Sequence, residues 1–124
     1  MKYGLAMLGP EYQMLDDAKH SDGALPSHRT AAIYDLFPTI DNKPLKAVGE
    51  WNQSRITVQG TKFQHWLNGV NVAECDTSTP AWEAAFAKSK FHPHANWAKN
   101  PKGRIMLQDH GDEVWFRNVR ITEL

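Results

Sequence analysis

One cysteine, Cys75, stands in a chain of 124 residues. A lone thiol forms no internal disulfide, and without a CxxC pair there is no cysteine zinc cluster, so stability must come from packing. Charge of one sign is not in excess either, because fourteen Lys and Arg offset fourteen Asp and Glu. That balance raises no broad field for nucleic acid or for a membrane surface. No apolar run approaches the roughly 18 residues of a membrane helix. The opening Met1-Lys2-Tyr3-Gly4 does not resemble the apolar core of a signal peptide, so no export signal is expected in it. GxSxG, HExxH, Walker and GxGxxG signatures are all missing, which argues against serine hydrolysis, zincin chemistry and nucleotide binding.

Large aromatic area and frequent chain breaks are what the sequence does contain. Five Trp, five Phe and three Tyr can each bury a large apolar surface. Gly9-Pro10, Asp22-Gly23, Pro38, Gly60, Asn68-Gly69, Pro80, Pro93, Gly103 and Gly111 are among the breaks. They leave segments of about five to ten residues, which suit strands better than helices. No repeat, low-complexity tract or Ser/Gly linker divides residues 1–124, so one domain is expected.

Trp51 to Glu74 predicts a three-stranded meander. Ile56 and Val58 alternate with polar residues, Gly60-Thr61 turns, Phe63, His65 and Leu67 alternate in turn, and Asn68-Gly69 leads into Val70-Asn71-Val72. Asn-Gly between alternating strands favours a type I′ hairpin, whose two central residues need positive φ. A second hairpin is expected from Arg104–Gln108 and Glu113–Ile121, with further strands at Glu11–Asp16 and Ala31–Leu36. Pro80–Lys90 reads as the one helix: Thr79 caps it, Pro80 takes the first position, Glu83 lies in the first turn, and Trp82, Ala85, Phe86 and Ser89 share a face. Antiparallel strands with one short helix predict an all-β sandwich or jelly roll.

Several polar groups stand out against this pattern. Glu11 and Gln13 share a strand face, and a turn then delivers Asp16, Asp17 and His20. Such carboxylates and imidazole can form an acid/base pair or an oxygen-rich metal site, or simply an acidic turn. Gln108 and His110 share a face, with Asp109 or Asp112 able to orient the imidazole; Asp-His-Gly is also an ordinary turn. Arg117 within a strand calls for a carboxylate or a polar ligand, with Glu11 as the candidate carboxylate. Trp51, Trp66 and Trp97, interleaved with Asn52 and His65, suit the C–H faces and hydroxyls of sugars and equally suit a core. His92 and His94 read as a loop rim, and Cys75 has no evident activating partner.

In order along the chain, five motifs resemble the 3-keto-disaccharide hydrolase family. They are Gly9-Pro10-Glu11-Tyr12-Gln13-Met14-Leu15-Asp16-Asp17-Ala18-Lys19-His20, Ala32-Ile33-Tyr34-Asp35-Leu36, Gly49-Glu50-Trp51-Asn52, His65-Trp66-Leu67-Asn68-Gly69, and Gly103 to Gly111 with Val114 to Val119. The resemblance implies a concanavalin-like jelly roll whose concave sheet holds a carbohydrate, and enolate-forming cleavage of 3-keto-glycosides. It implies acid/base or metal roles for Glu11, Asp16, His20 and His110, with a divalent cation beside Glu11, Asp16 and His20. Gln13, Gln108 and Arg117 would hold sugar oxygens, and Trp51 and Trp66 would border the cleft with Trp97. Members of the family begin with further strands, so the chain is expected to be an N-terminally truncated sandwich that a second copy could complete. A carbohydrate partner is expected, with no nucleic acid and no membrane segment, and the family suggests a periplasmic or extracellular setting. A noncatalytic carbohydrate-binding module and an inactive remnant are the competing expectations.

Overall fold

A computed structural model describes residues 9–124. Strands β1 (Ser54–Gln59), β2 (Lys62–Leu67) and β3 (Val70–Asp76) form an antiparallel sheet in the order β1-β2-β3, followed by helix α1 (Pro80–Lys88). The predicted meander is present. Its second turn places Asn68 at φ 48° and Gly69 at φ 85°, the left-handed pair that a type I′ hairpin requires. Asn68 also ties this turn to the preceding loop. Its side-chain amide donates to the Pro44 carbonyl (2.6 Å) and to Asn52 Oδ1 (2.8 Å), and its Oδ1 accepts from the Gln53 N–H.

β2 and β3 do not pair evenly. His65 faces Ala73 while Trp66 faces Asn71, so Val72 is an extra residue on β3. A bulge of this kind turns consecutive side chains toward one side, and Val72 and Ala73 are both buried. The Val72 carbonyl accepts from the Ile40 N–H (2.8 Å), bringing the 38–40 segment beside the sheet.

α1 follows its sequence signals closely. Thr79 Oγ1 accepts from the Trp82 N–H, Pro80 opens the helix, Glu83 lies in the first turn, and the Ser89 hydroxyl donates to the Phe86 carbonyl. The helix ends at Lys88, two residues before the expected limit. Trp82 packs with Ile33, Tyr34, Leu36, Ala73, Phe91 and Trp97 in the main core. Trp97 is 2% exposed and lies nearly parallel to Phe91 at 4.5 Å and to Trp82 at 5.7 Å. It is therefore a core residue rather than a cleft residue. A second cluster joins Ala31, Leu67 and Val72, with Tyr12 and Leu45 against it.

Two strand expectations fail for identifiable reasons. In place of continuous strands at Glu11–Asp16 and Ala31–Leu36 there are single bridges, Tyr12 with Ile33 and Ile33 with Phe37. Ala31 (φ 68°) and Asp35 (φ 61°) are left-handed, and a strand cannot run through such residues. The hairpin expected at 104–121 is also not formed: among the described residues no strand lies beyond β3. Gly111 and Asn118 have positive φ, and the alternating apolar side chains find no sheet face to cover. Trp115 is 71% and Ile121 79% exposed. The described strands thus make one sheet, not the two of a sandwich.

Candidate active site

Glu11 is placed by the extended segment that precedes the first turns. Its carbonyl accepts from the Tyr34 N–H (3.0 Å) and Gln13 exchanges backbone bonds with Ala31 and Ala32. Tyr12 packs on the buried His65 ring (4.7 Å) and donates to the Trp66 carbonyl (3.1 Å). Burial holds the Glu11 carboxyl above its ordinary value; Lys90 and His110 oppose the rise, Asp22 reinforces it, and His28 opposes it. A partly buried carboxyl whose titration burial raises has the surroundings of an acid/base residue.

Around Glu11 lies a cluster supplied by irregular turns. Ser21–Ala24 and Pro26–His28 are short 3₁₀ helices that carry Asp22 and His28. The following turn carries Tyr34 and Asp35, and Lys90 comes just after α1. His28 Nε2 lies 2.8 Å from Asp35 Oδ1, and the Tyr34 hydroxyl donates to Asp22 Oδ2 (3.4 Å). The Tyr34 hydroxyl is pushed up to about 12, first by burial and then by Asp22 and Glu11. The Lys90 backbone N–H donates to Asp35 Oδ2 (2.7 Å), while its ammonium sits 4.1 Å over the Tyr34 ring. Asp22, His28, Asp35 and Lys90 were not singled out from the sequence, since their spacing follows neither a helix nor a strand period.

The other expected site residues have diverse placements. Asp16 Oδ1 accepts from the N–H groups of Ala18 and Lys19, and His20 Nδ1 accepts from the Asp22 N–H. These are turn-closing bonds. Asp17 accepts from the Thr30 N–H and pairs with Lys43. Among the described residues no group of three or more His, Cys, Asp or Glu is arranged to hold a metal ion. Of the expected trio Glu11, Asp16 and His20, Asp16 and His20 each accept from backbone N–H groups of their own turn.

Gln13 Oε1 accepts from the Met14 N–H. Gln108 is half-buried and lines an open cleft of about 440 Å³ with Asp109, Asp112, Val114 and Phe116. Asp109 Oδ1 accepts from the Gly111 N–H (2.8 Å), shaping the turn that carries the exposed His110. Arg117 does not meet Glu11 as an ion partner; its guanidinium stacks 4.0 Å from the Trp51 ring centroid. Arg55 stacks equally close on Trp66, its cross-strand neighbour. Structure therefore brings Trp51 and Arg117 together and places Asp16 and His20 in the turn after Glu11. Burial and the neighbouring Asp76 push the Cys75 thiol up to about 12, in keeping with its lack of an activating partner.

Residues 2–122 match the family model of the 3-keto-alpha-glucoside-1,2-lyase-like domain, and the chain belongs to that family. It is 36% identical over 129 aligned positions to a 3-keto-disaccharide hydrolase of Bacteroides thetaiotaomicron. That alignment covers 93% of this chain and 44% of the relative, so the chain spans less than half the length of the curated protein it matches. A crystal structure from Parabacteroides distasonis, described as a glycosyl hydrolase, superposes with a TM-score of 0.64 at 23% identity. It covers 76% of this chain and 45% of the other. At that identity the likeness is one of fold.

Proposed function

We propose that the chain carries the acid/base part of an enzyme site that cleaves 3-keto-glycosides by elimination followed by hydration. A ketone at sugar carbon 3 acidifies the hydrogen at carbon 2. Glu11 takes that proton, the electron pair forms an enediolate, and its collapse breaks the bond between carbon 1 and the glycosidic oxygen. His110 delivers a proton to the departing oxygen. Water then adds at carbon 1 while a proton returns to carbon 2, so the two halves sum to hydrolysis. Trp51 and Arg117 stack and hold the sugar, with Gln13, Gln108 and Trp66 as further contacts. Family membership supports the substrate class. The partly buried Glu11 carboxyl, whose titration burial raises, is the observation that supports the acid/base role.

In this reading the three-stranded sheet is one part of a jelly-roll sandwich. The exposed apolar faces of Ile56, Val58 and Trp115 mark where further strands or a second copy would pack. Light scattering of the isolated chain checks this, and a monodisperse monomer removes the second-copy arrangement. A periplasmic or extracellular setting is part of the same proposal.

Release of glucose from a 3-keto-disaccharide tests the activity. Turnover by the chain that falls at least about 100-fold in both Glu11→Gln and His110→Ala supports it. Near-normal turnover in both variants removes these residues as catalysts, and keto-sugar binding without turnover identifies a binding module instead.

A further inference from the structure

The bulge in β3 has a second effect besides burying Val72 and Ala73. In an even strand Asn71 and Glu74, three residues apart, would point to opposite faces. With Val72 as the extra residue both turn to the face away from the core, where Asn71 Nδ2 donates to Glu74 Oε2 (3.0 Å). Directly paired residues share a face, so Trp66 opposite Asn71 and Gln64 opposite Glu74 stand with them. Gln64 Nε2 donates to the same carboxylate oxygen (3.3 Å).

Two polar atoms in this group are unmet. A carboxylate only accepts, so the Asn71 amide turns its NH₂ to Glu74 and is left with Oδ1. That oxygen and the Trp66 indole Nε1 are shielded from solvent and have no hydrogen-bond partner among the described residues. One is an acceptor and the other a donor, on residues paired across the sheet. The exposed Arg55 lays its guanidinium over the Trp66 ring at 4.0 Å, a surface cover that a ligand can displace. An open cleft of about 420 Å³ adjoins the group, lined by residues 71–74 and 38–40, and Ile40 is 50% exposed along it.

These groups select among ligands. A cation would meet Glu74 and Asn71 Oδ1 but leave the indole N–H unmet, and an anion would face the Glu74 carboxylate. A neutral ring with vicinal hydroxyls meets both needs, because each hydroxyl donates and accepts, and its C–H face packs on Ile40. We propose that the bulged edge of β3 is a hexopyranose-binding site. Glu74 and Asn71 Oδ1 accept from neighbouring ring hydroxyls, and Trp66 Nε1 donates to one once Arg55 moves off the indole. The site extends the Trp66 contact named in the proposed function and rests on that reading for no other residue; it needs neither Glu11 nor a ketone.

The test titrates the full, isotopically labelled chain with methyl α-glucopyranoside, methyl α-mannopyranoside and methyl α-galactopyranoside, none of which carries a ketone, and follows side-chain N–H groups by NMR. Saturable shifts of the Trp66 indole N–H and of the Asn71 and Gln64 amides are expected for one or more of these sugars. Glu74→Gln keeps the shape of the side chain and removes its charge, and Asn71→Ala removes the unmet acceptor. Each is expected to weaken the binding about threefold to tenfold and to melt as cooperatively as wild type. No saturable shift at these side chains with any of the sugars overturns the site, and the wild-type titration decides this whether or not a variant folds. Binding that both variants leave unchanged also overturns it. Binding in a chain that does not turn over a 3-keto-disaccharide overturns the proposed reaction and leaves this site standing, whereas turnover without binding here overturns the site alone.

Discussion

The guanidinium of Arg117 lies 4.0 Å from the ring centroid of Trp51, joining a residue of the C-terminal segment to one just ahead of the sheet. Trp51 is 42% exposed, so this stack is a surface feature, and a cation over an exposed ring contributes only about 0.5–1 kcal/mol. Trp51→Ala is expected to leave stability within that range while removing the ring-current shift of the Arg117 side-chain protons. An unchanged Arg117 spectrum would place the guanidinium elsewhere in solution. Weaker keto-sugar binding in the same variant would link the stack to the ligand.

Glu11 gives a prediction with opposite signs for stability and activity. Burial raises its titration in the folded chain, so between the ordinary carboxylate value and the raised one the folded state binds more protons than the unfolded state. The resulting stabilisation is complete below the ordinary value and is lost as pH rises through the raised value. Glu11→Gln is therefore expected to be more stable than wild type at neutral pH, with the gain disappearing in acid, and to be inactive. Urea unfolding across this pH range checks it; a neutral-pH loss of stability would show that the charged form is favoured in the fold.

Two positions should be intolerant for steric reasons. Gly23 is buried, and a Cβ there would lie within 2.3 Å of the Asp17 carbonyl oxygen. Gly23→Ala is expected to cost about 1–3 kcal/mol and to disturb the turn that carries Asp22. Trp97→Ala empties the centre of the aromatic stack and is expected to cost about 3–5 kcal/mol. Denaturant midpoints measure both, and a Trp97→Ala change as mild as Trp51→Ala would contradict the core described for it.

Cys75 should be chemically quiet. With its thiol pushed up to about 12, little thiolate exists near neutrality. Alkylation of the native chain at pH 8 is expected to be at least about 100-fold slower than in urea. Equal rates would show an accessible, activated thiol.

Local signals made part of this architecture readable in advance. Asn68-Gly69, the alternation around it, and the Thr79-Pro80 start each act within a few residues, and the meander and α1 formed as they indicate. Ala31 carried no such signal, and the mild preference of aspartate for positive φ does not by itself mark Asp35, because surrounding contacts impose both conformations. The alternation of Arg104–Gln108 and Glu113–Ile121 was real, but a strand needs a partner, and none of the described strands pairs with these residues. At the site, Glu11, His110, Trp51 and Arg117 stood in motif segments. His28 and Asp35 meet through tertiary folding of irregular turns, which no period encodes. Asp16 and His20 sit in a turn, and a turn and an acid/base site use the same residue types, so the sequence alone does not separate the two roles.

Hydrolysis of a 3-keto-disaccharide in deuterium oxide, followed by mass spectrometry of the released keto-sugar, tests the proposed reaction most directly. Proton removal by Glu11 and later return from solvent predict deuterium at carbon 2 in each turnover, above the level in an enzyme-free control, and no such product from Glu11→Gln. Full turnover with protium retained at carbon 2 would mean displacement at carbon 1 without an enolate, and would contradict the account.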